Sequence, residues 1–199
     1  MNKEDFTPSA SGKLIQNLES NWTFVPDSLP PTVELTIELL SSLGEANLAI
    51  GQLSEAGRGL PNPYLLIGPF QRREAIISSR IEGTIATAQE LLLFEVEPDE
   101  ATSNPSVREV ANYVKALEHG LNRVRGGFPI SLRLLREIHE VLMSGVRGEE
   151  KKPGTFRTTQ NFIGKRGQSI GQARFVPADP RELPKLLDDF EKYRSVLTT

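Results

Sequence analysis

Cysteine is absent from the 199 residues, which excludes disulfides, thiolate nucleophiles and cysteine-ligated metals and fits a reducing, cytoplasmic compartment. Histidine occurs only twice, at His119 and His139, and neither histidine nor carboxylate shows metal-ligand spacing, so no built-in metal site is expected. No apolar run is long enough to span a bilayer, and Met1-Asn2-Lys3-Glu4-Asp5-Phe6 lacks the basic-then-apolar order of a secretion signal. A membrane partner is therefore not expected. The net charge of -3 offers no general electrostatic grip on nucleic acid. What is present is an ordinary globular balance, 38% hydrophobic and 25% charged, in a chain long enough to bury a core as one domain or slightly more. There is no internal repeat and no low-complexity tract.

Residues 1–31 carry Pro8, Gly12, Pro26, Pro30 and Pro31 among scattered apolar residues and read as an extended arm, anchored near Trp22 and Phe24. From Thr32 to Leu53 the leucines recur at helical spacing, and Gly57, Gly59 and Pro61 end the segment. A second helix starts at Pro69, with Phe70, Ile77 and Ile81 on one face and Gly83 as its stop. A short helix follows over Ala86–Phe94. Asn104-Pro105 is a cap and first-turn pair for a strongly amphipathic helix carrying Val107, Val110, Ala111, Val114 and Leu117. Ser131 caps the next, whose stripe is Leu134, Leu135, Ile138, Val141 and Leu142. Thr155–Ile163 and Ala173–Val176, rich in β-branched and aromatic residues and separated by glycines, predict a β-hairpin flap. A final helix carries Leu183, Leu186, Leu187, Phe190 and Tyr193, with Pro184 in its first turn. The fold class is mainly α with a small β-hairpin flap.

The most informative stretch is Ser78-Ser79-Arg80-Ile81-Glu82-Gly83. It places Glu82 in the last turn of a helix, where the backbone dipole disfavours an anion unless a cation compensates it. Ser78 lies four residues earlier, on the same face, and its hydroxyl is expected to donate to the Glu82 carboxylate. A local rule broken in this way points to a site. The other polar residues have plainer uses: His139 as a structural histidine, His119 at a helix end, and Arg72, Arg73 and Arg80 on a solvated face.

Arg72 to Thr84, with Ser78, three further residues, Glu82 and Gly83, resembles the inhibitory helix of Fic (filamentation-induced-by-cAMP) proteins that carry an N-terminal regulatory domain. Pro61-Asn62-Pro63 and Glu90-Leu91-Leu92 are similar to that region as well. Gly154-Thr155-Phe156-Arg157, Gln160-Asn161-Phe162-Ile163-Gly164 and Ala173-Arg174-Phe175-Val176-Pro177 resemble the flap that opens the Fic domain. The resemblance divides the chain into an arm over 1–31, a regulatory region over 32–103 and the first part of a Fic domain over 104–199. It implies a helical Fic-like fold and transfer of AMP from ATP, with Mg2+, to a hydroxyl of a target protein. In that scheme Glu82 pairs with an active-site arginine and blocks the γ-phosphate position, while Phe162 and Ile163 clamp the target as an added strand.

The family's catalytic loop, His-Pro-Phe followed by Gly-Asn-Gly-Arg, does not occur here: His119 is followed by Gly120 and His139 by Glu140. No residue is assigned as catalytic, neither ATP nor Mg2+ is expected to bind tightly to these residues alone, and the chain looks cut off before its chemistry. Two readings stand side by side. In one, the chain is the front part of an adenylyltransferase and is inactive alone; in the other, it is a stand-alone regulatory module that supplies Glu82 in trans to a separate Fic protein or to another copy of itself.

Overall fold

A computed structural model describes Met1, Glu4, Phe6 and residues 11–62, 64–98 and 104–197. The chain forms two compact units, one from residues 34–154 and the other from 1–33 together with 155–199. Among the described residues, six helices dominate and one two-stranded sheet is present, so the fold is mainly α with a small β-hairpin.

The 34–154 unit contains α1 (Ile37–Arg58), α2 (Tyr64–Ile81), α3 (Ala88–Val96), α4 (Pro105–Arg125) and α5 (Leu132–Leu142). Helix α4 is its axis. Val107, Val110, Ala111 and Val114 recur at three- and four-residue spacing and pack with Ala75 and Ile76 of α2, Ala86, and Leu91 and Phe94 of α3 into one buried cluster. Its start is fixed by the Asn104 side chain, which accepts from Ser106 N–H, with Pro105 in the first turn. On the other side α5 packs close because Gly120 lacks a side chain: a Cβ there would come within 2.8 Å of Ile138 Cδ1. Buried Asn112 ties the two helices further, donating to the carbonyls of Leu142 (3.1 Å) and Ser144 (2.7 Å).

Several boundaries differ from the sequence reading. Helix α1 begins at Ile37 rather than near Thr32, because Thr36 accepts from Leu39 N–H as its cap, and it runs through Gly57. None of its residues is buried. Helix α2 begins before Pro69, which it carries internally, and buries Ala75 and Ile76; Phe70, Ile77 and Ile81 are exposed. Helix α3 starts two residues late because Thr87 and Glu90 form a capping box. The Thr87 hydroxyl and N–H hold the Glu90 carboxyl below its ordinary range.

In the other unit the expected arm is instead the regular hairpin: β1 (Gly12–Gln16) pairs antiparallel with β2 (Trp22–Pro26), Leu14 opposite Phe24. The run Trp22-Thr23-Phe24-Val25 is a strong strand former, and the Asn17 side chain closes the turn by accepting from the N–H groups of Glu19 and Asn21. The expected flap, by contrast, is a single bridge between Ile163 and Phe175, with a 3-10 turn at Ile170–Gln172 between them. The extended segment 173–176 also bonds to β2: Phe24 N–H donates to Val176 C=O at 2.8 Å, and the Phe24 and Phe175 rings lie 5.8 Å apart. Thr23, Val25, Ala173, Val176 and Ala178 are buried there. Helix α6 (Leu183–Leu197) follows, with Pro184 in its first turn. Among the described residues no helix is long and apolar enough to cross a membrane.

Candidate functional site

Glu82 is the C-cap of α2, one residue past the last helical residue Ile81. Two hydrogen bonds close the helix behind it, Gly83 N–H to Arg80 C=O (3.0 Å) and Thr84 N–H to Ser79 C=O (3.0 Å). This pair of bonds, with Gly83 at φ +84°, is a Schellman motif. Only glycine takes that left-handed angle without strain, so the residue that reads as a helix stop also sets where the preceding carboxylate stands.

Next along the chain, Thr84 is buried and donates to Glu109 Oε2 of α4 at 2.7 Å. The helix end is thereby tied to the unit's central helix. Exposed Glu82 lines a cavity of about 530 Å3 together with Ser78, Ser79, Thr84, Glu109, Tyr113 and Arg147. The hydrogen bonds from Asn112 to Leu142 and Ser144 hold the end of α5 on the far wall. Glu82 thus shares a hollow with a second acidic residue, Glu109, and one arginine, Arg147.

The expected contact between Ser78 and Glu82 is not made. The Ser78 hydroxyl donates to Glu74 Oε1 at 2.6 Å, one turn back along α2. Carboxylates lie four residues to either side of Ser78, and the one within the helix proper wins because Glu82 has already left the helical path. Ser78 lines the same cavity as Glu82 but does not fix its rotamer.

Both histidines have structural surroundings. His139 Nδ1 accepts from Gly154 N–H at 3.0 Å, and His119 Nε2 lies 3.5 Å from a Glu137 carboxylate that also pairs with Arg123 and Arg133. Arg72 pairs with Glu95 at 2.8 Å. Phe162 and Ile163 are exposed; Ile163 gives its N–H to Phe175 C=O, and its own C=O accepts from Arg174. Phe162 borders a separate hollow of about 680 Å3 with Gln160, Asp179 and Arg181. There the hydrogen bonds from Arg181 hold the Asp179 carboxyl down at about 2.

A triphosphate needs several cationic or N–H donors. The cavity at Glu82 offers two carboxylates against one guanidinium, so its lining does not fit nucleotide phosphates by itself. Among the described residues no group of three or more His, Asp or Glu is placed to hold a metal ion. The sequence reading missed Thr84, Glu109, Tyr113 and Arg147 as neighbours of Glu82. Thr84 closes the Arg72–Thr84 stretch but carries no sign there of its partner, because Glu109 is 25 residues away and sits on the polar side of α4 with no local signal.

Residues 40–122 match the family model described as Fic/DOC family N-terminal. The matched span runs from the first turn of α1 into the last turns of α4 and includes Ser78, Glu82, Gly83, Thr84 and Glu109; Phe162 and Ile163 lie beyond it. This stretch of the chain is similar to the N-terminal region of Fic/DOC proteins, and the match supports a Fic-related protein.

Proposed function

We propose that the chain is the regulatory region and flap of a Fic-type protein adenylyltransferase, in which Glu82 gates the nucleotide pocket. The observation that carries the reading is the fixed backbone position of an exposed glutamate. Glu82 caps a Schellman-closed helix end that Thr84 ties to α4, inside the span similar to Fic/DOC N-terminal regions. A carboxylate in that position attracts a guanidinium and repels a phosphate. Ser78 contributes to the wall rather than to the rotamer, and Gly83 contributes the backbone angle.

The flap role is supported by the bridge between Ile163 and Phe175. Ile163 turns its N–H and C=O toward 174–175, so successive residues Phe162 and Gly164 turn theirs to the other edge, where an extended target segment adds. Phe162 and Ile163 then supply exposed apolar side chains beside it. The proposed reaction class is AMP transfer to a target hydroxyl, with ATP and Mg2+ held by residues other than those of this cavity.

The second reading is action in trans on a separate Fic protein, and the observation that supports it is the exposure of Glu82 at the helix end, which leaves its carboxylate open to another polypeptide. One experiment separates the two. A chimera that appends a family catalytic segment after Thr199 is assayed for ATP-dependent AMP labelling, and the unmodified chain is titrated into a separate uninhibited Fic protein. Under the first reading Glu82→Gly raises labelling by the chimera severalfold; under the second the unmodified chain suppresses labelling and its Glu82→Gly variant does not. Labelling that is indifferent to Glu82 in both formats removes it as a gate.

A further inference from the structure

We infer that α1 is a self-pairing helix, through which two copies of the chain associate as an antiparallel coiled coil along Leu39, Leu43, Ala46, Ile50, Leu53 and Gly57. Helix α1 spans 22 residues with no buried side chain. A Cβ built at Gly44, Gly51 or Gly57 would meet nothing within 4 Å. Three internal glycines weaken any helix, and helices of this length in water depend on packing an apolar face. Such a helix calls for a partner, and its own sequence specifies one.

The six seam residues are separated by intervals of four, three, four, three and four, the 3.5-residue repeat of a left-handed coiled coil. Leu39, Leu43, Ile50 and Leu53 are 41%, 54%, 64% and 75% exposed. With a two-fold axis at the level of Leu48, an antiparallel copy sets Leu39 opposite Gly57, Leu43 opposite Leu53 and Ala46 opposite Ile50. Each layer matches large with small or leucine with leucine. A parallel pair would stack Ala46 on Ala46 and Gly57 on Gly57 and leave voids. The flanking positions 40, 42, 47, 49, 54 and 56 carry no charge, while Glu38, Glu45, Glu55 and Arg58 all lie off the seam, so no like charges meet across the pair. An α1 pair about 33 Å long and ~10 Å wide is a small interface on the scale of stable dimers, so the dimer is reversible and concentration-dependent.

The test is sedimentation of the 199-residue chain across micromolar concentrations. The expected mass rises from 22.0 kDa toward twice that value. Leu43→Asp and Leu53→Asp each hold the chain at monomer mass, while Leu48→Asp on the opposite face of α1 leaves association unchanged. The cysteine-free background then reads the orientation: Leu43→Cys and Leu53→Cys chains, mixed and oxidised, give the mixed disulfide. A monomer at every concentration, including one whose α1 is covered only when another polypeptide is added, overturns the proposal. A dimer indifferent to Leu43→Asp, or disulfides that link Leu43→Cys to itself, overturns it equally.

Discussion

Replacing Gly83 by alanine isolates the backbone term that sets the position of Glu82. Gly83 sits at φ +84°, and a Cβ added there meets nothing within 4 Å. No neighbour has to move, so the whole cost is the left-handed backbone angle, about 1–2 kcal/mol for an L-residue. Asparagine tolerates that region better, so Gly83→Asn should cost less than Gly83→Ala. Gly44 gives the control: it lies inside α1, off the seam, and its Cβ also meets nothing. The same glycine-to-alanine change there should stabilise by about 0.5–1 kcal/mol. For a chain of 199 residues a loss of 1 kcal/mol lowers Tm by about 2–4 °C. Urea and thermal unfolding followed by far-ultraviolet circular dichroism measure all three variants. Equal midpoints for Gly83→Ala and the parent chain, or a Gly83→Ala variant as stable as Gly44→Ala, would refute the Schellman assignment and with it the fixed position of Glu82.

Asn112→Ala removes the donor to two carbonyls at the end of α5 and should destabilise the 34–154 unit by about 1–3 kcal/mol; hydrogen exchange at residues 142–146 should accelerate, and unchanged exchange would show that Asn112 does not hold this wall. The Asp179 carboxyl titrates at about 2 in the fold, against an ordinary value of 3.8. A depressed value means that its stabilisation is present above pH ~4 and is lost as the pH falls from there through about 2. Fluorescence of Trp22, which belongs to the same unit, should therefore report falling stability across that window, and Arg181→Ala should flatten the dependence.

Helices α4 and α5 were legible in the sequence because their signals are local. Asn104-Pro105 and Ser131 each satisfy orphan N–H groups within three residues, and apolar spacing names the buried face. Gly83 was legible for the same reason, since a left-handed angle belongs to one residue. The partner of Ser78 was not: Glu74 and Glu82 stand at equal separation on either side, and spacing cannot say which carboxylate the helix still carries. The position of the hairpin was not legible either. Strand propensity marked 155–176 and left Trp22–Pro26 in the arm, whereas pairing depends on which edge is free to bond. Phe24 takes the carbonyl of Val176, and only the fold brings that carbonyl near.

By itself the sequence determined the helical character of the chain, the helix stop at Gly83 and the presence of a carboxylate beside it, because caps, glycine angles and 3.6-residue periodicity act over a single turn. Tertiary structure alone decided that Thr84 would bond Glu109, that Glu82 would share a hollow with Glu109 and Arg147, and that α1 would keep its apolar seam uncovered. Those outcomes join residues tens of positions apart, and such contacts are fixed by how helices pack rather than by what any one stretch prefers.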